Sequence, residues 1–361
     1  MSTVAELVAE RTTVICCGSG GVGKTTVAAA LAVEAARLGR RACVVTIDPA
    51  KRLADALGLA HLTNHPTEVK GEWSGQLWAL MLDTKGTFDD LVTRYAASPE
   101  QSAGILDNRL YRNLSQALSG TQEYMAMEKL FELHEGGRYD LVVVDTPPTR
   151  NALDFLSAPR RLVSFLDNRV FRLLVMPTRA YLRAVSAATQ AFLRTISRVV
   201  GAEVVKDAVA FFRAFEGMEQ GFRDRAAKME ALLRAPGTAF VIVASARRDT
   251  VEEARFFLDR LDESGFHVAG LVVNRLQPRF GPPGTAGRLA SSDPALAGSP
   301  AVVNLAQLEA MADREEAHFS DLVRRVEPAP VVRVPILAAD VHDLAGLEVV
   351  ASYLDGSTRF A

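Results

Sequence analysis

Residues 18–26 read Gly18-Ser19-Gly20-Gly21-Val22-Gly23-Lys24-Thr25-Thr26. This is the pattern of a loop that binds phosphate groups, because its glycines let the backbone curl and point successive N–H groups at phosphate oxygens. Lys24 supplies a point charge for the β- and γ-phosphates, and Thr25 supplies a hydroxyl ligand for Mg²⁺. The stretch therefore predicts a nucleotide-phosphate site made of all nine residues.

The sequence on both sides of the loop has the composition that such a loop requires. The apolar run Thr13 to Cys17 precedes it and predicts a buried strand. Lys24 to Leu38 is rich in alanine and leucine and stops at Gly39, which predicts a helix. The amino end of that helix carries a partial positive charge that faces the phosphates.

Two aspartates follow predicted strands. Asp48 comes after the strand Arg41 to Ile47, and Asp145 ends the apolar run that starts at Tyr139, in the Walker B form. Both carboxylates should lie at the carboxyl edge of a parallel sheet, where ligands of such folds bind. Asp145 is predicted to hold Mg²⁺, directly or through water, although any parallel strand can end in aspartate before a turn.

Asp48 has a second interpretation. Pro49 suits the first position of a helix, so Asp48 can serve as an N-cap. The two roles are compatible.

Several motifs together resemble one family of ATPases with a deviant Walker A motif. The motifs are the loop, Thr46-Ile47-Asp48-Pro49-Ala50, Asp145-Thr146-Pro147-Pro148-Thr149 and Val272-Val273-Asn274-Arg275. The family includes the arsenite-pump ATPases (ArsA) and the Get3-type factors that target tail-anchored proteins. The resemblance covers nearly the whole chain and implies a doubly wound, mainly parallel α/β P-loop NTPase fold with an inserted helical subdomain.

The resemblance also implies roles for single residues. In hydrolysis of Mg-ATP, Lys24 would stabilise charge and Asp48 would orient the attacking water. The metal set would be Thr25, Asp48 and Asp145, and Asn274 would hydrogen-bond the adenine edge. Pro335 and Leu337 would belong to the adenine loop after the last strand.

The residues around Asn274 favour ATP over GTP, because no Asn-Lys-x-Asp guanine motif is present there. Asn274 can also be an ordinary turn residue. One departure weakens the base pocket. Ala246 and Arg247 stand where relatives tend to carry an acidic residue.

Ser19 is the position at which the loop departs from the family pattern. Family members carry a second lysine here that crosses a dimer interface to the partner's ATP. A short neutral hydroxyl cannot replace a mobile ammonium aimed at the transferring phosphoryl group. The resemblance implies a dimer, and Ser19 leads us to expect a heterodimer with a paralogue that retains the lysine. A slow homodimer is the alternative.

The predicted organisation has a nucleotide core and a helical insertion. The helical insertion shows apolar residues mainly three or four apart. It is either a client groove that responds to nucleotide or an ordinary subdomain with its apolar faces packed inward. The predicted segments are 1–86, 136–166 and 235–361 for the core, 87–135 and 167–234 for the helical subdomain, and 278–300 for a flexible loop rich in Pro, Gly and Ser.

Composition limits the partners and the cellular location that we expect for this chain. The net charge of −2 offers no nucleic-acid footprint. No N-terminal signal peptide is visible, and no apolar run reaches the ~18 residues needed to span a bilayer. We therefore expect a cytoplasmic protein whose partners are a protein client or, at a membrane, a peripheral contact.

The three cysteines are Cys16, Cys17 and Cys43, all in predicted core strands, where they behave as small hydrophobes. Get3-type relatives carry a Cys-x-x-Cys zinc clamp after the adenine asparagine, and arsenite ATPases carry separate metalloid-binding cysteines. Residues 278–300 hold no cysteine. Neither zinc nor arsenite binding is expected.

The sequence thus predicts an ATPase whose nucleotide cycle drives a change in a helical client- or partner-binding subdomain. Two alternatives remain. One is a nucleotide-gated regulatory subunit of a heterodimer with little turnover of its own. The other is a positioning or partition ATPase, which needs a basic patch or a basic membrane-targeting helix. Leu344 to Ala361 is neither strongly basic nor long.

Overall fold

The computed structural model describes residues 4–109, 111–112, 121–147, 154–167 and 217–358, together with 203, 207, 210–211 and 214. Pro148 and Thr149 of the predicted switch segment, and 113–120 and 168–202 of the predicted helical region, lie outside the described residues. The strands are β1 Thr13–Cys17, β2 Arg41–Thr46, β3 Thr67–Val69, β4 Gln76–Met81, β5 Leu141–Asp145, β6 Thr238–Ser245, β7 Val268–Leu276 and β8 Val331–Pro335.

The described helices precede, separate and follow these strands along the chain. Their bounds are α1 Val4–Glu10, α2 Lys24–Arg37, α3 Arg52–Ala56, α4 Thr84–Tyr95, α5 Pro99–Leu106, α6 Thr121–Glu135, α7 Asp154–Asp167, α8 Glu219–Arg234, α9 Arg248–Glu263, α10 Thr285–Ser292, α11 Pro294–Ala297, α12 Pro300–Val326 and α13 Leu344–Leu354. No helix in the described part of the chain is both long and apolar enough to cross a membrane.

The described strands form one eight-stranded sheet in the order β3-β4-β2-β5-β1-β6-β7-β8. Every neighbouring pair is parallel except β3 with β4. From β1 the chain first builds outward on one side of the sheet and later on the other, so the strand order reverses next to β1. Ligands of open α/β sheets bind at such a switch point, beyond the carboxyl ends of the strands. The predicted fold class is confirmed.

The central strands and α2 show why the sheet forms here. β1 and β5 are buried along their whole length, as expected for parallel strands covered on both faces. α2 is buried from Val27 to Ala36, mostly through alanines, which allow it to approach the sheet closely. It ends at Arg37, and Gly39 follows with a φ of 84°. The sequence predicted that stop at the same glycine.

The chain divides into two compact units. The first consists of Met1–Leu82, Glu132–Leu153 and Arg234–Ala361, and the second of Asp83–Phe131 and Asp154–Leu233. α7 lies in the second unit, whereas the sequence assigned 154–166 to the nucleotide core. Within this unit α7 is linked to α8 by ion pairs, since Arg160 pairs with Glu230 and Asp167 pairs with Arg223.

The second unit contains a buried ion pair between two of its helices. Glu128 on α6 accepts hydrogen bonds from Arg225 Nε on α8, at 3.0 Å to each carboxylate oxygen. Both side chains are buried, and Arg94 on α4 lies 3.5 Å from the same carboxylate. The Arg225 guanidinium also stacks 4.3 Å from the Phe131 ring centroid. A buried charge pair of this kind ties α6 to α8.

Residues 278–300 differ from the sequence-based expectation of a flexible loop. The segment contains α10 and α11, and α12 begins at its end. Asp293 caps α11 by accepting from Ala295 N at 2.8 Å, and Ser299 caps α12 by accepting from Val302 N at 3.3 Å. Pro294 and Pro300 occupy the first turns. The prolines and small polar residues that suggested a loop are therefore the residues that start helices.

Candidate nucleotide site

Two glycines of the loop between β1 and α2 stand where a side chain would clash with neighbouring strands. Gly23 has a φ of +91°, and a Cβ there would lie 2.3 Å from Asn274 Nδ2. A Cβ on Gly18 would lie 2.1 Å from the carbonyl oxygen of Val243. A side chain at Gly18 would require the backbone of β6 to move, and one at Gly23 would have to displace the Asn274 side chain of β7. The loop therefore lies directly against both strands.

Lys24 points back into its own loop. Its ammonium donates to the carbonyl of Ser19 at 2.7 Å, and the side chain is buried. Burial lowers the pKa of Lys24, and the nearby Asp145 carboxylate opposes that shift. Ser19 is only 5% exposed, and its hydroxyl has no hydrogen-bond partner within the described residues. The loop therefore wraps around a cation that a phosphate oxygen can attract in place of the Ser19 carbonyl.

Asp145 ends β5 between two threonines. One carboxylate oxygen, Oδ2, accepts from Thr25 Oγ1 at 2.7 Å and from Thr46 Oγ1 at 2.9 Å. The strand register explains this meeting, because Asp145 lies opposite Cys16 of β1 and opposite Thr46 of β2. Burial raises the pKa of Asp145 to about 6, although both threonine hydrogen bonds act to lower it.

The second oxygen of Asp145 is the unusual atom of the site. Oδ1 is buried and makes no hydrogen bond within the described residues. Leaving such an atom unsatisfied costs about 1–3 kcal/mol, and more when it is charged. A carboxylate oxygen beside the Thr25 hydroxyl is the hard oxygen environment that Mg²⁺ prefers. The donor set present here fits that ion.

Asp48 caps a turn rather than a helix. Its backbone N–H donates to Thr46 Oγ1 at 3.2 Å, and its Oδ1 accepts from Ala50 N at 3.0 Å. α3 starts only at Arg52. The Arg52 guanidinium lies 3.6 Å from Asp48 Oδ2. The carboxylate is thus held beside the phosphate loop at the carboxyl end of β2.

Among the described residues, two cavities open on the loop, and the lining of both belongs to the first unit. The first, which we call the phosphate cavity, has a volume of about 480 Å³ and is lined by residues that include Lys24, Thr25, Asp48, Thr146, Arg275 and His342. The second, the side cavity, has a volume of about 470 Å³, and its lining includes Gly20, Gly21, Ser245, Arg247, Arg275 and Ile336. Arg275 borders both.

The residues expected at the adenine have different surroundings. Asn274 is buried, donates through Nδ2 to the Val22 carbonyl at 2.9 Å and accepts from Arg275 N at 2.9 Å. Pro335 is buried at the end of β8, and Leu337 packs against the core of the sheet. Ile336 lies between them, is 54% exposed and lines the side cavity. Neighbouring residues of an extended segment point to opposite sides, which explains the alternation.

Sequence reasoning missed two residues of the site. Thr46 shares the Asp145 carboxylate with Thr25, and a threonine at the end of an apolar strand two residues before Asp48 was the available signal. Arg275 has a φ of 59°, rare for a residue other than glycine, and donates to the Gly21 carbonyl at 2.8 Å. Nothing local in the sequence indicates that contact.

The three cysteines lie in strands β1 and β2 and are buried. Burial raises the pKa of the Cys16 and Cys17 thiols, that of Cys17 to about 12. A thiol in this environment stays protonated and is a poor nucleophile and metal ligand.

The phosphate loop, the buried aspartate and the switch-point location can be compared with known proteins. The profile of the family described as anion-transporting ATPase matches residues 11–280. The chain belongs to this family. Because the loop and both carboxylate motifs of the site lie inside the matched range, the chain is a P-loop ATPase.

Relatives in the family align over most of the chain. A protein called ATPase GET3, from Malassezia globosa, is 25% identical over 341 residues, which cover 94% of this chain and 90% of the relative. A putative arsenical pump-driving ATPase from Chlorobaculum tepidum is 23% identical over 347 residues, covering 94% of this chain and 74% of the relative. An ATPase called get3 from Aspergillus terreus is 30% identical over 148 residues, which cover 39% of this chain and 41% of the relative.

Proposed function

We propose that this ATPase hydrolyses Mg-ATP at the phosphate loop. Its nucleotide cycle changes the conformation of the second unit, called the helical unit below, which binds a protein client or partner. The observation that carries the site assignment is the geometry of Asp145. One of its oxygens is shared by Thr25 and Thr46, and the other is buried without a partner within the described residues. That arrangement lies at the carboxyl edge of the sheet, against the phosphate loop.

The residues of the loop divide the binding of the triphosphate among them. The backbone N–H groups of residues 20–26 cradle phosphate oxygens, and the ammonium of Lys24 leaves the Ser19 carbonyl for the β- and γ-phosphates. Thr25, Asp48 and Asp145 would hold Mg²⁺, which when bound would neutralise part of the negative charge of the phosphates.

Asp48 acts on the nucleophile. Its carboxylate lines the phosphate cavity and accepts a hydrogen bond from Ala50 N, which fixes its position. It can therefore accept a hydrogen bond from a water placed in line with the bond between the γ-phosphorus and the ADP oxygen. The Arg52 guanidinium lies 3.6 Å from Asp48 Oδ2 and helps to orient that carboxylate. Attack of that water on the γ-phosphorus breaks the bond to the ADP oxygen, the water proton passes to Asp48 directly or by way of the γ-phosphate, and ADP and phosphate leave.

The base is proposed to be adenine. Within the described residues Asn274 retains one amide N–H and one oxygen lone pair for it, because its Nδ2 donates to the Val22 carbonyl and its Oδ1 accepts from Arg275 N. Pro335 and Leu337 would support the adenine loop, and the exposed Ile336 adds an apolar contact from the same segment.

The experiment that tests the site compares two aspartates of the same strand region. Asp145→Asn keeps the shape but removes the charged oxygen, so Mg²⁺-dependent turnover should fall at least about 100-fold. Asp140→Asn, just before β5, is the matched control, because Asp140 pairs with Arg41 at the opposite end of the strand. Its turnover should stay within about twofold. Unchanged Mg²⁺ dependence in Asp145→Asn would overturn the metal assignment.

We further propose that the working form is a dimer in which a paralogue supplies the missing lysine. Ser19 offers only a buried hydroxyl at the position concerned. The paralogue's lysine would complete the site built on Lys24, Thr25 and Asp145, while the paralogue's own nucleotide would face Ser19. A donor of this kind contributes roughly three to five powers of ten in rate in related phosphoryl transfers. Native mass spectrometry of protein from its own host, with turnover measured alone and with any co-purifying homologue, tests this. Brisk hydrolysis by a homodimer alone would refute it.

The same observation favours a second candidate, a nucleotide-gated regulatory subunit with little turnover of its own. Single-turnover assays separate the two. A regulatory subunit binds ATP and leaves it intact with and without its partner, whereas the proposed ATPase hydrolyses it once the partner is added.

The client can be sought with a trapped nucleotide state. Asp48→Asn should hold ATP, and Lys24→Ala should not, so proteins retained by the first variant and absent from the second depend on nucleotide. Equal capture by both variants would contradict nucleotide control of the helical unit.

A further inference from the structure

Arg275 has an unusual backbone and points at the nucleotide loop. It lies in β7 directly after Asn274 and has a φ of 59°. Its backbone N–H is held by Asn274 Oδ1 at 2.9 Å, and its guanidinium donates to the Gly21 carbonyl at 2.8 Å. A left-handed backbone at a residue other than glycine costs about 1–3 kcal/mol and persists where surrounding contacts demand it. Here those contacts direct the side chain to the loop.

The guanidinium also has unused binding capacity. The nearby arginines are paired with carboxylates, since Arg52 meets Asp48, Arg247 meets Asp249 and Arg279 meets Asp313. Arg275 has no carboxylate partner among the residues that the structure describes, and it borders both cavities. A guanidinium has five N–H donors in a rigid fork that matches phosphate oxygens. Among the described residues, the Arg275 guanidinium forms a single hydrogen bond, to the Gly21 carbonyl.

The phosphate cavity needs positive charge beyond Lys24. Its described lining includes the carboxylates of Asp48 and Asp55, and the positive charge of Arg52 is already paired with Asp48. Ser19 adds no charge to the loop. A triphosphate brings about four negative charges and a bound Mg²⁺ would offset two of them, so a guanidinium with no carboxylate partner among the described residues still has an electrostatic reason to contact it.

We propose that Arg275 binds the phosphate chain of the nucleotide in cis and thereby supplies, within this chain, a positive charge that the loop lacks at Ser19. This inference rests on the proposed Mg-ATP site. Arg275 contacts the bound nucleotide in its ground state, so it raises affinity. A lysine from a partner subunit acts on the transferring phosphoryl group, so it raises turnover. The two contributions are separable.

The primary test is calorimetric titration of ATP in the presence of Mg²⁺. Arg275→Ala should weaken ATP binding roughly tenfold to 100-fold, because it removes charge-assisted hydrogen bonds. Arg275→Lys should recover part of that loss, since it keeps the charge without the fork. Arg248→Ala is the matched control, an exposed arginine paired with Glu252 on α9 and outside both cavities. It should bind within about twofold of the wild type.

A purely structural role for Arg275 predicts different results. If the side chain only fastened Gly21, Arg275→Gly would lower the melting temperature of the nucleotide-free protein, and the wild-type and variant affinities would respond equally to salt. A phosphate contact predicts an unchanged or higher melting temperature, because glycine relieves the left-handed backbone. It also predicts that ATP affinity falls less steeply with added salt in Arg275→Gly than in the wild type.

The outcomes separate the role of Arg275 from the proposed Mg-ATP site on which it rests. If the wild type binds no ATP, the proposed function fails. If the wild type binds ATP and Arg275→Ala binds equally well, the role of Arg275 alone is overturned. Loss of affinity with a lowered melting temperature and an unchanged salt response would likewise assign Arg275 a structural role.

Discussion

Asn274 fastens the phosphate loop to β7, because its Nδ2 donates to the Val22 carbonyl at 2.9 Å across 252 positions of the sequence. The same nitrogen lies 2.3 Å from the point where a Cβ on Gly23 would be. The contact therefore requires both the amide at position 274 and the missing side chain at position 23. It places the loop on the edge of the sheet that also carries Arg275.

Gly23→Ala should disturb this contact and weaken nucleotide binding at least about tenfold. The added methyl group must displace Asn274, and alanine also disfavours the φ of +91°. We expect a stability loss of about 1–3 kcal/mol. Gly104→Ala in α5 is the control, since a Cβ there meets nothing within 4 Å. It should stabilise the protein by up to about 1 kcal/mol. Urea unfolding and ATP titration measure both, and equal effects of the two substitutions would contradict the packing argument.

Lys24→Ala and Asp48→Asn should separate binding from chemistry. Lys24 contacts phosphates in every nucleotide state, so its loss should weaken ATP binding at least about 100-fold. Asp48 acts on water mainly in the transition state, so Asp48→Asn should bind ATP within about threefold while hydrolysis slows at least about 100-fold. Calorimetric titration and steady-state turnover check this. Unchanged turnover in Asp48→Asn would remove it from the mechanism.

The purified protein should contain no stoichiometric zinc or arsenite. Its three cysteines are buried in β1 and β2, and burial keeps the Cys16 and Cys17 thiols protonated by raising their pKa values. Elemental analysis before and after chelation measures bound metal. One zinc per dimer that survives chelation would show that another ligand set exists.

The buried ion pair of the second unit should contribute more than its surface counterpart. Arg225→Ala leaves Glu128 buried with, among the described residues, the 3.5 Å contact to Arg94 as its remaining ion pair, and should lower the free energy of unfolding by about 3–5 kcal/mol. Arg160→Ala breaks the exposed pair with Glu230 and should cost about 0–1 kcal/mol. Chemical denaturation followed by circular dichroism compares them. Similar costs would mean that the Glu128 site is hydrated.

The sequence alone was sufficient for the loop, the central strands and the carboxylate positions. Nine consecutive residues, 18–26, supply the glycines that curve the backbone, the ammonium of Lys24 and the hydroxyl of Thr25. The chemistry of the loop is therefore encoded locally. β1 and β5 are apolar throughout and each leads directly into site residues. A parallel sheet then brings Asp48 and Asp145 to the same edge, because carboxyl ends of its strands align there.

Only the tertiary structure decided which side chains complete the site. The strand registers place Thr46 beside Asp145, and the packing of β7 against the loop brings Asn274 and Arg275 to Val22 and Gly21. The direction of the chain after β8 turns Ile336 toward the side cavity while Leu337 packs on the core. These relationships depend on strand register and on contacts between segments that are distant in the sequence. Residue type and local spacing do not predict either of these.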